Sequence, residues 1–276
     1  MIGEGTAMEL ELRGRSALVT GAAGGIGRGV ARTLTAEGMR LALLDRDQPG
    51  LRRTDEELSP GAALLVADVT DEEQVAAAVA IARERLGGLD TVVCCAGISG
   101  PVGSGIEGIA RAEWDAVFAV NVTGAFLVLK HALPALREAD RASVVLVASD
   151  SAVVASPGMA PYCASKAALV QFGRALSVDL APSGIRVTTV SPSIVDTPMS
   201  RADLGIEDFE GTGFEGAGFE GVGSGAAGFE GVGYPVQTAD EVAAHVAYLA
   251  SPRTRAVNGT GILSDFGYSA RSGFPA

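Results

Sequence analysis

The stretch that decides the fold runs Ser143-Val-Val-Leu-Val-Ala148 and then Ser149-Asp-Ser-Ala-Val-Val-Ala-Ser-Pro-Gly-Met-Ala-Pro-Tyr-Cys-Ala-Ser-Lys166. The uninterrupted apolar run reads as a buried strand that delivers Ser149 at its end. Pro157 and Gly158 mark a loop, and Pro161 stands where a helix begins. Tyr162 and Lys166 lie four apart, so they share one face of that helix at about 5–6 Å between Cβ atoms. A phenol titrates at about pH 10, and an ammonium held beside it favours the phenolate. A hydroxyl presented from a neighbouring strand end, as Ser149 would be, can hydrogen-bond a substrate oxygen on which charge develops. A Tyr-x-x-x-Lys turn alone also fits simple packing with a solvated lysine. Ser149, thirteen residues upstream of Tyr162, makes the three a candidate acid–base site.

Upstream, Ser16-Ala-Leu-Val-Thr20 is a short apolar strand that runs into Gly21-Ala-Ala-Gly-Gly-Ile-Gly27 and then a helix ending near Gly38. Gly21, Gly25 and Gly27 permit a tight turn and close approach of the backbone to a pyrophosphate, with amide donors from the helix N-terminus. The second strand, Arg40–Leu44, ends at Asp45, whose carboxylate can accept from adenosine ribose hydroxyls and would repel a 2′-phosphate. That favours NAD, while the adjacent Arg46 keeps NADP open as the less favoured alternative. Leu64–Ala67 is a third strand leading to Asp68 and Val69, and Thr70-Asp71-Glu-Glu73 caps a helix that runs to Leu86. Thr91-Val-Val-Cys-Cys95 is the fourth strand and ends in Ala96-Gly97. Trp114 to about Ala139 reads as one long helix, with Asn121 inside it either as a satisfied core amide or in a functional role. The strand Ile185–Val190 leads into Ser191-Pro-Ser-Ile-Val-Asp-Thr197. Thr238–Glu241 caps a helix over 242–250, and Gly261–Ser264 is the last strand.

This order of motifs resembles the short-chain dehydrogenase/reductase family, through the glycine turn Thr20-Gly-x-x-x-Gly-x-Gly27, Asp45, Ala96-Gly97, Asn121, Ser149 and the Tyr162/Lys166 pair. The resemblance implies an α/β fold, a single doubly wound Rossmann-type domain with a parallel sheet of about seven strands and helices on both faces. The catalytic domain would span 12–268, with a leader at 1–11, an insertion at 204–234 and a tail at 269–276. It implies interconversion of a secondary alcohol and a ketone, with Tyr162 as acid/base, Ser149 orienting the substrate oxygen, Lys166 lowering the Tyr162 pKa and Asn121 holding a water relay. Cofactor contacts would come from Gly21, Gly25, Ile26, Gly27, Asp45, Arg46, Asp68, Val69, Cys95, Ala96, Gly97, Tyr162, Lys166, Pro192, Val195 and Thr197. Substrate would meet Ser99, Ser151, Val153 and Ser193 in a pocket of small or apolar residues that suits a hydrophobic alcohol. Ser193 replaces the glycine usual in the family, so its backbone should keep an ordinary negative φ or carry modest strain. Cys94 and Cys95 replace the usual asparagines and read as buried structural thiols. The alternatives are an NADPH-linked ketoacyl-type reductase and a non-catalytic NAD-sensing protein on the same fold. A homo-oligomer, tetramer or dimer, belongs to the same resemblance.

Composition agrees with these expectations. The chain has 276 residues, a net charge of −12 and no apolar run of membrane length, which argues against nucleic acid and membrane as partners; the resemblance implies a small-molecule alcohol or ketone instead. Three cysteines, two of them adjacent, form neither a disulfide framework nor a metal pattern, and a reducing cytoplasmic setting is expected. Met1 to Leu12 carries Glu4, Glu9 and Glu11 and lacks the apolar core of a secretory signal. Residues 209–233 repeat with period five around Phe209, Phe214, Phe219 and Phe229. That period matches neither helix nor strand, so the segment reads as a flexible apolar lid or as a neutral insertion.

Overall fold

The computed structural model describes residues 9–58, 61–209 and 235–270. Seven parallel strands are ordered β3-β2-β1-β4-β5-β6-β7. They are β1 (Ser16–Thr20), β2 (Arg40–Asp45), β3 (Ala63–Val66), β4 (Thr91–Cys94), β5 (Ser143–Val147), β6 (Arg186–Pro192) and β7 (Gly261–Ser264). Side chains alternate across a strand, so an apolar run such as Val144–Val147 serves two cores at once. Leu18, Leu44, Val92, Val144 and Leu146 face one helical layer. Ala17, Val19, Leu43, Val93, Val145 and Val147 face the other.

The first layer holds α3 (Glu72–Leu86), α4 (Arg111–Phe118), α5 (Ala125–Leu136) and α6 (Ala160–Asp179). The second holds α1 (Gly25–Ala36), α2 (Gln48–Glu57) and α8 (Ala239–Ala250). A short α7 (Pro198–Leu204) follows β6. Gly29 lets α1 and α8 touch closely, since a Cβ there would sit 2.9 Å from the Ala239 side chain. The sheet order reverses between β1 and β4, which opens a crevice at the strand carboxyl ends.

Three elements differ from the sequence expectation. Helix α2 has no counterpart in that reading because Pro49, Gly50 and a run of charges hide its buried stripe of Leu51, Thr54 and Leu58. Helix α7 is capped by Thr197, has Pro198 in its first turn and ends at Gly205 with φ 67°, a start-and-stop signal that lay unread beside the repeat. The single helix expected over 114–139 is continuous over Arg111–Leu136, but Ala119–Gly124 is a π-helical turn, and Asn121 sits in it. By length and composition this helix is apolar enough to cross a membrane, which the search for an unbroken run missed. In the fold Val117, Leu127 and Val128 are buried, Leu127 and Val128 within the core between sheet and helices. Of the leader, Leu10 accepts from Ser251 and Glu11 pairs with Arg141 and Arg253. Of the repeat, Phe209 is described and buried, while residues 210–234 lie outside the described residues.

Candidate active site

The crevice between β1 and β4 is an open cleft of about 310 Å³, within the usual range for ligand sites. Gly21 leaves β1 at φ 66°, and a Cβ on it would lie 2.8 Å from the Ala96 nitrogen. A Cβ on Gly27 would lie 2.1 Å from the Gly21 carbonyl oxygen. Helix α1 has no side-chain cap at Gly24, so its first amides face the cleft unspent. This bare backbone cradle fits a pyrophosphate. Replacing Gly21 with alanine should therefore strain the turn and push it into Ala96, at a cost of about 1–3 kcal/mol. Thermal unfolding should show a Tm lower by several degrees, and an unchanged Tm would contradict the tight cradle.

Asp45 lies at the far side, its carboxylate fixed by amide bonds from Ala23 (3.1 Å) and Asp47 (3.0 Å). Arg46 is exposed beside it and makes no ion pair among the described residues. Asp68 Oδ1 accepts from the Thr70 amide and hydroxyl, and Oδ2 has no bond among the described residues. The cleft is also lined by Gly25, Ile26, Val69, Cys95, Ala96, Gly97 and Thr197, as expected, and by Ile98, Val120 and Met199, which were not. Pro192, Val195, Tyr162 and Lys166 do not line it; Pro192 ends β6, Val195 is buried and bridged to Gln237, and Tyr162 and Lys166 lie on α6 beside it. Thr20, unremarked in the sequence, accepts from the amides of Cys95 and Ala96 at 3.2 Å each and so ties β4 to β1 under the cleft. Burial pushes the Cys94 thiol up to about 12 and the Cys95 thiol higher still, so both are neutral; Cys94 is buried as expected, whereas Cys95 is only partly buried and lines the cleft.

The four candidate catalytic residues come from three elements. Ser149 follows β5 in extended conformation (φ −166°), Asn121 sits in the π turn, and Tyr162 and Lys166 lie on α6. Lys166 Nζ donates to the Val147 carbonyl (3.1 Å) and stands 5.4 Å from the Tyr162 ring centre. Asn121 Oδ1 accepts from Ile98 N (2.8 Å), and its Nδ2 donates to Ile98 O (3.0 Å) and Ser165 Oγ (2.9 Å). Both Nδ2 hydrogens are spent and the amide clamps the β4 loop to α6. A Cβ on Gly97 would come 3.3 Å from Asn121 Oδ1 and 3.4 Å from Lys166 Nζ, which explains why a bare residue stands there.

Burial acts against the expected lowering of the Tyr162 pKa. Tyr162 is partly exposed as a residue, but its phenol is deep enough that burial pushes it up to about 12. The Ser149 hydroxyl pulls it down, while Asp150 and Asp203 push it further up. Lys166 sits over the ring face and bonds a carbonyl, and burial lowers its own pKa to about 8.

The substrate side is more polar than expected. Ser99 is buried and donates to Asp203 Oδ2 of α7 at 2.5 Å. Ser149 Oγ donates to Asp150 Oδ1 at 3.0 Å, and Ser151 N donates to Ser149 Oγ at 3.1 Å. Burial pushes the Asp150 pKa up and the Ser193 hydroxyl pulls it down, and the Ser193 backbone takes an ordinary negative φ, free of strain. Val153 is 65% exposed and points away from a buried role. Asp150 and Asp203 were the residues missed. Asp150 stands next to Ser149 but reads as a turn residue, and only tertiary packing brings Asp203 to Ser99.

A family model for short chain dehydrogenases matches residues 15–204. Momilactone A synthase of Oryza sativa subsp. japonica is 37% identical over 94% of this chain and 91% of its own. The 2-(R)-hydroxypropyl-CoM dehydrogenase of Xanthobacter autotrophicus is 34% identical over 93% of this chain and 99% of its own. A crystal structure of 3-ketoacyl-(acyl-carrier-protein) reductase from Brucella melitensis complexed with NADH superposes with a TM-score of 0.80 at 28% identity, covering 94% of this chain and 100% of that one. The chain belongs to the short-chain dehydrogenase family. It is an oxidoreductase of CH–OH donors that works between alcohols and ketones with a nicotinamide cofactor.

Proposed function

We infer that the protein is an NAD-dependent dehydrogenase of a secondary alcohol, with Tyr162 as the acid/base. The observation that carries this reading is the convergence of β5 and α6 beside the cofactor cleft: Lys166 Nζ stands 5.4 Å from the Tyr162 ring centre, bonds the Val147 carbonyl two residues before Ser149, and lies against Gly97 of the cleft. The bound nicotinamide supplies the hydride acceptor or donor. Tyr162 takes the alcohol proton when the alcohol is oxidised and returns it when the ketone is reduced. Ser149 orients the reacting oxygen, Lys166 steadies the phenolate and the cofactor ribose, and Asn121 holds the β4 loop that backs both. The nicotinamide-side contacts are assigned to Thr197, with Pro192 and Val195 shaping the loop from behind. A cytoplasmic, homo-oligomeric enzyme belongs to the same reading.

Asp45 supports NAD over NADP, since a 2′-phosphate would meet its carboxylate at the cleft edge. The unmodified enzyme should prefer NAD at least about tenfold in kcat/KM, or about 1.4 kcal/mol. Asp45→Ser should shrink that preference and leave Arg46 to receive the phosphate. Equal use of NADP by the unmodified protein would favour the second reading, an NADPH-linked ketoreductase, for which the exposed Arg46 is the supporting observation.

A further inference from the structure

Gln237 holds a buried amide outside the cleft. The residue is 4% exposed, and its Oε1 has no hydrogen-bond partner among the described residues. An unpaired buried oxygen costs stability, and an apolar side chain of the same length would avoid that cost. The other end of the amide is used. Its Nε2 donates to Ser264 Oγ at 2.6 Å, on the last residue of β7, and His245 Nε2 of α8 lies 3.0 Å from the same hydroxyl.

The main chain of Gln237 grips the segment that follows β6. Gln237 N donates to Ile194 O (2.9 Å) and Asp196 N donates to Gln237 O (2.8 Å), which brackets Val195 in a parallel bridge. Ser193 N donates to Ser264 O at 2.9 Å. Ser264 therefore holds this segment with its carbonyl and holds Gln237 with its hydroxyl. Two positions past Val195 stands Thr197, which lines the cleft and has its Cγ2 3.3 Å from where a Cβ on Gly25 would be. Val195 O accepts from Ser200 Oγ, the hydroxyl that pairs with Thr197 Oγ1 at 3.1 Å. A shift of residues 194–196 would carry Thr197 away from the glycine turn.

We propose that Gln237 is a positioning residue for the nicotinamide half of the cofactor: its side chain pins residues 194–196 to the end of β7 and so sets where the segment ending at Thr197 meets the cleft. The inference rests on the reading that this segment serves the nicotinamide side. Gln237 itself touches neither cofactor nor substrate and acts through the main chain it holds. A contact surface fixed in advance raises affinity by lowering the ordering cost of binding. Asp45 at the end of β2 and Asp68 just past β3 are held by other partners, so the adenosine half should not feel the loss of this strap.

NADH and ADP-ribose separate the two halves, because they share the adenosine and both phosphates and differ in the nicotinamide ring. Each is titrated calorimetrically into the full-length protein. Gln237→Met keeps the side-chain length and removes both polar atoms of the amide. It should weaken NADH about fivefold or more and leave ADP-ribose within about twofold, with Tm unchanged or higher because the unpaired oxygen is gone. Ser264→Ala removes the acceptor and should give the same selective loss, and the double variant should be no worse than either alone. If Gln237→Met fails to fold, Ser264→Ala decides by the same ratio. NADPH and 2′-phospho-ADP-ribose, run in parallel, give the comparison whichever cofactor the protein prefers. Equal weakening of both ligands, or of neither, overturns the proposal. Thr197→Val tells the two readings apart. If it loses NADH selectively and Gln237→Met does not, the positioning role fails and the Thr197 contact stands. If the reverse holds, the positioning role stands and the nicotinamide contact moves to another residue of the segment.

Discussion

Tyr162→Phe is expected to abolish turnover while NAD still binds within a few-fold of its original affinity. The substitution keeps the ring in its place near Lys166, 5.4 Å from its centre, and removes only the oxygen that exchanges a proton with substrate. Acid–base catalysis of this kind accounts for roughly 10²–10⁴ in rate. Steady-state kinetics and calorimetric NAD titration together read both halves. Retention of more than a few per cent of kcat would reassign the proton transfer. The raised phenol pKa gives the result a second signature. Oxidation needs the phenolate, so its rate should climb as pH rises toward a value of about 12 in the free protein. Ketone reduction needs the neutral phenol and should fall over the same rise.

Lys166→Met should be nearly as damaging, and in two respects. It removes the cation beside the phenol and the donor to the Val147 carbonyl, so kcat and NAD affinity should both drop. Its pH dependence separates it from a packing defect. Burial lowers the Lys166 pKa from 10.5 to about 8 in the fold, so the folded protein holds the charged lysine at a cost. That cost is present in full below about pH 8 and disappears as pH rises past the unfolded value of 10.5. Wild type should therefore gain stability relative to Lys166→Met between those limits, as read by denaturant unfolding at several pH values. A stability difference independent of pH would contradict a buried, charged Lys166.

Much of this fold is legible as apolar strands, because a strand buried on both faces must be written in near-continuous valine and leucine. β1, β4 and β5 follow that rule, and the glycine turn and Thr238–Glu241 cap announce α1 and α8 just as plainly. Helix α2 hides because only Leu51, Thr54 and a few neighbours are buried, too sparse a stripe to stand out from its charges. The π turn hides because nothing local to Ala119–Gly124 demands it; the clamp from Asn121 to Ile98 and Ser165 is tertiary. The candidate catalytic set was readable from spacing, since Tyr162 and Lys166 share one helix. The electrostatics were not. A lysine over the ring suggests an acidified phenol, but burial and two carboxylates contributed by other segments push the other way. Thr20, Ser165, Asp150 and Asp203 matter through partners far away in the chain or turned inward by the fold, and no periodicity marks them.

The central claim is that this chain oxidises a secondary alcohol with NAD, and the most direct measurement is reduced-nicotinamide absorbance across a panel of secondary alcohols, run with NAD and with NADP. The expected result is NAD reduction with at least one alcohol, slower with NADP and lost in Tyr162→Phe. NAD binding by calorimetry with no reduction for any alcohol, and no reoxidation with the matching ketones, would contradict it and leave a nicotinamide-binding protein without catalysis.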